Sequence, residues 1–173
     1  MLAVLLSARI RGSVAVAAAR EPAAAGLRDP RRMMEAEWQE RVDALGRGGY
    51  RRYDERTATR LGDGAELVAE RWGGDLRRLR READGDVAAL RDLLQEAPGL
   101  GPAGADVFLR EAQRVRPKAA PYPDAKALSG TRRLGLPEDP DRLVELAGDT
   151  DPAVLAAALV RAALDKDVAD DVD

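Results

Sequence analysis

The clearest pattern of apolar and polar positions lies past the middle of the chain. After Asp86, Val87, Leu90, Leu93 and Leu94 recur at helical spacing up to Pro98. A second helix is predicted from Gly104 to about Val115, with Ala105, Phe108, Leu109 and Ala112 on one face. Pro117, Pro121 and Pro123 forbid regular helix in the next stretch. Beyond them Asp124 to Leu134 is predicted helical. Asp139-Pro140 and Asp151-Pro152 each read as an N-cap followed by proline at the first helical position, opening helices over 141–147 and 153–164.

The first half is less regular. Leu2 to Ala19 is apolar and alanine-rich, broken at Gly12-Ser13, which predicts two helices packed inside rather than one surface helix. The chain opens inside a helix with no capping residue, as a domain lacking its first helix would. Asp29-Pro30 opens a further unit, whose buried stripe is expected to be Met33, Met34 and Trp38. Ala44 to Tyr50 reads as a glycine-rich loop ahead of a helix from Tyr53 to Leu61. Gly62 and Gly64 mark either close helix contacts or an interruption, followed by helix from Ala65 to Arg71 and a stop at Gly73-Gly74. No repeat of fixed period is present.

Composition supports an all-α fold. Of 173 residues 45% are hydrophobic, drawn mainly from Ala, Leu and Val, and only 3% are aromatic. Ala and Leu are the strongest helix formers, and the length suffices for one core or two small lobes. Charge is nearly balanced, with 28 Lys and Arg against 31 Asp and Glu, so the net charge of −3 is not the footprint of a strongly basic nucleic-acid binder. Basic residues nonetheless cluster at Arg71, Arg77, Arg78, Arg80 and Arg81, and again at Arg110, Arg114, Arg116 and Lys118. Either cluster is a local binding face or an ordinary solvated helix face. Without cysteine or histidine there is no disulfide, thiolate, iron–sulfur cluster, usual zinc site or histidine triad. Carboxylates, lysine, tyrosine and hydroxyls are left for chemistry. The apolar start has no basic residue ahead of it and meets Arg9 and Arg11 at once, which argues against a secretory signal, and no run approaches a membrane span. A cytoplasmic, monomeric protein is expected, nucleoid-associated if prokaryotic, with no metal, no cofactor and no membrane partner.

The turn Pro98-Gly99-Leu100-Gly101-Pro102-Ala103-Gly104 has a direct physical use. Glycine adopts positive φ and lets a ligand approach the main chain, and the free N–H groups where the next helix starts favour an anion. An ordinary helix–helix turn is the plainer alternative. The string resembles the Leu-Pro-Gly-Val/Ile-Gly-x-x-Thr/Ser-Ala motif of the helix-hairpin-helix DNA glycosylases, the endonuclease III superfamily, matching at Pro98, Gly99, Gly101 and Ala105. Leu5-Leu6-Ser7-Ala8-Arg9 is similar to that family's Leu-Leu-Ser-Ala-Gln, and Leu45 to Tyr50 falls where it has an Ile-Gly-Leu/Phe-Tyr turn. Pro123-Asp124-Ala125-Lys126 and Arg133-Leu134-Gly135 follow on its Val-Asp-Thr-His and Arg-Leu-Gly. The similarity runs from about residue 2 to residue 164.

The resemblance implies an endonuclease III-like fold that binds double-stranded DNA. A helical-barrel lobe over 2–118 would contain the hairpin (86–116), a second helical lobe would span 119–165, and an acidic disordered tail 166–173. Gly99, Leu100, Gly101, Pro102, Ala103, Gly104, Arg110 and Arg9 would contact DNA. Asp124 would inherit the aspartate that assists N-glycosidic cleavage by stabilising a cationic sugar, although after Pro123 it is equally suited to capping a helix. Ala103 stands where bifunctional members carry a Schiff-base lysine, which leaves a monofunctional glycosylase. Arg9 replaces the family's glutamine, Lys126 its histidine, and the helix before Leu2 is missing. Tyr50, Tyr53 and Tyr122 are candidates to stack on an extruded base or ordinary core residues. Three functions are therefore open: a base-excision-repair glycosylase, a non-catalytic DNA-binding module of the same fold, and a helical interaction protein unrelated to nucleic acid.

Overall fold

The computed structural model describes residues 1–113 and 122–165. Every regular element among them is a helix: α1 (Leu2–Leu6), α2 (Gly12–Ala24), α3 (Pro30–Glu35), α4 (Trp38–Arg47), α5 (Asp54–Trp72), α6 (Leu76–Glu82), α7 (Val87–Gln95), α8 (Pro102–Ala112), α9 (Ala125–Arg133), α10 (Pro140–Ala147) and α11 (Pro152–Leu164). The chain divides into two compact units, Met1–Val107 and Phe108–Asp173, and the division falls inside α8. The acidic stretch 166–173 and Arg114, Arg116 and Lys118 lie outside the described residues.

The expected caps form. Asp29 accepts from the Arg32 N–H at 2.9 Å, Asp139 from Arg142 at 3.0 Å and Asp151 from Ala153 at 2.8 Å, and Asp86, not predicted as a cap, accepts from Ala88 at 2.7 Å. Each satisfies one of the N–H groups that a helix start leaves without an internal partner. Pro30, Pro140 and Pro152 occupy the first turn, where their missing N–H costs nothing.

The core of the first unit gathers Leu5, Ala15, Ala18, Leu27, Met33, Leu45, Tyr50, Ala58, Leu61 and Ala65. With so few large side chains, the helices close the gaps by approaching one another. A Cβ on Gly48, which follows α4, would lie 2.3 Å from the Ala18 Cα of α2. Only one face of α2 is buried, through Ala15, Ala18 and Pro22, and Val16 is exposed. The expectation of two wholly interior helices at the start is therefore corrected for α2.

Met33 is buried but Met34 and Trp38 are exposed, against the predicted stripe. The reason is local: the chain turns extended at Ala36 and Glu37, so α3 ends and α4 starts afresh, and the helical phase linking Met34 to Trp38 is lost. Arg41 of α4 holds this corner. Its Nη1 donates to the carbonyls of Met33 at 2.9 Å and Ala36 at 2.7 Å, and its Nε to the Ala58 carbonyl of α5 at 3.1 Å. A cation thus satisfies carbonyls freed at the end of α3, where the helix dipole is negative.

The same side chain explains Gly62. α5 runs unbroken through Gly62 and Gly64 to Trp72, and a Cβ on Gly62 would lie 2.9 Å from the Arg41 guanidinium. The close-contact alternative holds there, and no interruption occurs. Gly73 then ends α5 in the left-handed region, as the predicted stop requires.

In the second unit α9 packs on α11, with Ala127, Leu143 and Leu159 at the core. A Cβ on Gly130 would lie 1.9 Å from the Leu159 carbonyl oxygen, so the helices touch backbone to backbone.

Candidate nucleic-acid interface

The hairpin turn is built from α7, the segment Glu96–Gly101 and α8. Leu100 donates from its N–H to the Ala97 carbonyl at 3.0 Å and buries its side chain, pinning the turn to the first unit. α8 begins at Pro102, two residues before the predicted Gly104, so Gly104 belongs to the helix. Arg91 of α7 forks onto Asp106 of α8, with Nε donating to Oδ1 at 2.6 Å and Nη2 to Oδ2 at 3.3 Å, clamping the two helices.

The three glycines do different things. Gly99 has φ +82°, and a Cβ there would lie 2.6 Å from the Arg60 Cδ, so this position is shaped by its own conformation and by the stem of Arg60. Gly104 is buried, with a would-be Cβ 2.4 Å from the Ser7 Oγ and 2.8 Å from the Leu100 Cδ1; it admits the end of α1. Gly101 alone meets nothing within 4 Å, and with Pro102 and Ala103 it is exposed. The open backbone of the turn therefore lies at Gly101 and the first turn of α8.

Beside Gly99 the first unit holds a cavity of about 240 Å³. Arg9, Arg56 and Arg60 line it with Ser7, Tyr53 and Thr57. Tyr53, Arg56, Thr57 and Arg60 follow at helical spacing along α5 and its N-cap, and Arg9 arrives from the segment after α1. No carboxylate lines the cavity among the described residues, and none of the three guanidiniums is in an ion pair there. A wider hollow of about 620 Å³ lies between Ala25 and Glu40, but its arginines are matched: Arg31 to Glu35 at 2.7 Å and Arg32 to Asp29 at 3.7 Å. The first cluster predicted from sequence is likewise partly spent. Arg71 pairs with Glu82 at 2.5 Å and with Glu96, and Arg77 with Asp75 at 2.9 Å.

Asp124 and Arg110 come together in the second unit. The Asp124 Oδ1 accepts from the Lys126 N–H at 2.8 Å and the Ala127 N–H at 3.0 Å, capping α9. Its Oδ2 accepts from the Arg110 Nε at 2.8 Å and also from Nη2. A carboxylate has about four lone-pair sites, and these four bonds take them. The side chains are 2% and 11% exposed, so neither reaches solvent freely. Arg110, expected on DNA, has its guanidinium on Asp124. Of the tyrosines, Tyr50 is core, its hydroxyl 3.2 Å from Thr57 Oγ1. Tyr53 is half-buried with Arg52 stacked on its ring at 5.3 Å, and Tyr122 is half-buried with its N–H donating to the Gln113 Oε1 at 2.7 Å.

Sequence reasoning found Arg9 and Gly99 but missed Arg56 and Arg60. Their signal is present, since Tyr53, Arg56, Thr57 and Arg60 share one helix face, flanked by the apolar stripe of Ala58, Leu61 and Ala65. No group of acidic residues suited to a metal occurs among the described residues, and no described helix is long and apolar enough to cross a membrane. No family model, no curated protein and no solved structure matches the chain.

Proposed function

We propose that the chain is a DNA-binding module of the endonuclease III-like helix-hairpin-helix kind, gripping the phosphate backbone of duplex DNA through the turn at Gly101. The observation that carries this is the open main chain at that position. Gly101 is exposed with free space over its α-carbon, and it stands where α8 presents N–H groups that have no helical partner.

Asp124 is not placed for base excision, because a carboxylate has to face the reacting sugar to stabilise it. Asp124 is buried, and its oxygens are occupied by the α9 cap and by Arg110. The experiment is binding of a labelled duplex by fluorescence anisotropy across a salt series, with a base-release assay on a mixed lesion library run beside it. The expected result is binding that weakens steeply with salt, is lost in Gly101→Val while the helical signal is kept, and is accompanied by no base release. Undiminished binding by Gly101→Val refutes the hairpin grip. Base release that Asp124→Asn abolishes, with binding intact, returns the glycosylase reading.

A further inference from the structure

We propose that the cavity framed by Arg9, Arg56 and Arg60 beside Gly99 binds a phosphate monoester, the terminal phosphate of a nucleotide. The site is distinct from the backbone grip at Gly101, and the two proposals stand or fall separately.

Three guanidiniums line one cavity with no carboxylate among its described lining residues, and none is in an ion pair among the described residues. Arg41, Arg71, Arg91 and Arg110, by contrast, are each matched with acids or carbonyls. Three guanidiniums gathered without acids fit an anion from outside. A backbone diester brings one negative charge, whereas a monoester brings about 1.5 to 2 at neutral pH and three strong acceptor oxygens. Each guanidinium offers planar, forked donors that match such oxygens two at a time. Three forks are therefore better used by a monoester than by a diester.

Size and lining narrow the ligand further. About 240 Å³ is below the ~300–1,000 Å³ of sites for drug-sized molecules, and far more than one water requires. A phosphate with an attached sugar suits it. The Ser7 hydroxyl is already donated to the Ala3 carbonyl at 2.6 Å, and Thr57 shares its hydroxyl with Tyr50. Recognition therefore falls to the arginines, and the half-buried Tyr53 supplies an apolar wall.

One contact ties the cavity to the hairpin turn. Arg60 runs its stem over Gly99 so closely that a Cβ would lie 2.6 Å from its Cδ and 3.2 Å from its Nε. The first glycine of the hairpin thus seats a guanidinium of the cavity.

The test compares two nicked duplexes, one with a 5′-phosphate and one with a 5′-hydroxyl at the nick, by anisotropy, and measures dAMP and inorganic phosphate directly by calorimetry. The parent protein is expected to prefer the 5′-phosphate about tenfold or more, or to bind dAMP. The double variant Arg56→Gln/Arg60→Gln should lose this, and Arg31→Gln should keep it. Arg9→Gln, on a different element, gives a second variant should the double variant fail to fold by circular dichroism. Preference at the nick without dAMP binding assigns the ligand to a strand end, and dAMP binding without preference at the nick assigns it to a free nucleotide. Equal affinity for both duplexes with no dAMP or phosphate binding overturns the proposal, as does a preference that survives all the arginine variants. If duplex binding is still lost in Gly101→Val while no monoester is bound, the backbone grip stands and the cavity site falls.

Discussion

Asp124→Asn is the substitution that best separates a structural carboxylate from a reactive one. The asparagine keeps an oxygen for the Lys126 and Ala127 N–H groups, so the α9 cap survives. What it loses is the charge that faces Arg110, and its amide sets N–H donors against guanidinium N–H donors. Arg110 is 11% exposed, so its charge is left largely desolvated and without its carboxylate. Breaking a buried pair from one side costs about 3–5 kcal/mol, against a total domain stability of about 5–15 kcal/mol. At roughly 2–4 °C per kcal/mol for a chain of this size, melting should fall by roughly 6–20 °C. Urea unfolding of the parent, Asp124→Asn, Arg110→Met and the double variant completes a cycle. The double variant should recover part of the loss, since it removes the stranded cation and leaves the cap. An Asp124→Asn protein within about 0.5 kcal/mol of the parent, the scatter of ordinary surface substitutions, would refute the reasoning.

The hairpin glycines should respond in opposite ways. Gly99→Ala forces a side chain into the left-handed region, at about 1–2 kcal/mol, and displaces Arg60, so urea unfolding should show a loss. Gly101→Ala should keep or slightly raise stability by the same assay and weaken duplex binding measured by anisotropy. Gly130→Ala drives a methyl into the Leu159 carbonyl and should cost about 3 kcal/mol or more, at the top of the usual overpacking range, seen as early melting by circular dichroism. Glu82 is held below the usual glutamate range first by the Trp72 indole N–H at 2.7 Å and then by Arg71. A depressed carboxylate contributes stability above its unfolded value and loses it as pH falls through its folded value. Trp72 fluorescence should therefore hold constant through the ordinary glutamate range and change only at lower pH, and Glu82→Gln should abolish that transition.

What was legible in the sequence was local chemistry. An aspartate followed by proline carries its own physics, and Asp29, Asp139 and Asp151 cap the helices they were expected to cap. Asp124, which follows Pro123 and precedes a helical run, was legible as a cap too. Its pairing with Arg110 was not, because that contact joins α8 to the start of α9 across a proline-rich stretch without periodicity. The stripe of Met33, Met34 and Trp38 failed because no signal at Ala36 announces the break in helical phase. Gly62 remained ambiguous because the group that demands it, the Arg41 guanidinium, comes from another helix. The cavity draws on residues around positions 9, 56–60 and 99, and only the α5 face among them carries a pattern that sequence spacing reveals.

Balanced charge conceals a division among the arginines that totals cannot show. Arg41 is used on three carbonyls and ties α3 to α5. Arg91 clamps α7 to α8, Arg110 neutralises a buried aspartate, and Arg71 holds two glutamates. Their charges are thus matched by groups of the chain itself. Arg9, Arg56 and Arg60 make no ion pair among the described residues, and they gather at one cavity beside the turn that the proposed DNA grip requires. A net charge of −3 is thus compatible with a phosphate-binding protein, because an anion entering the cavity meets three unpaired guanidiniums and no lining carboxylate among the described residues, and screening beyond about 10 Å removes most of the distant charge.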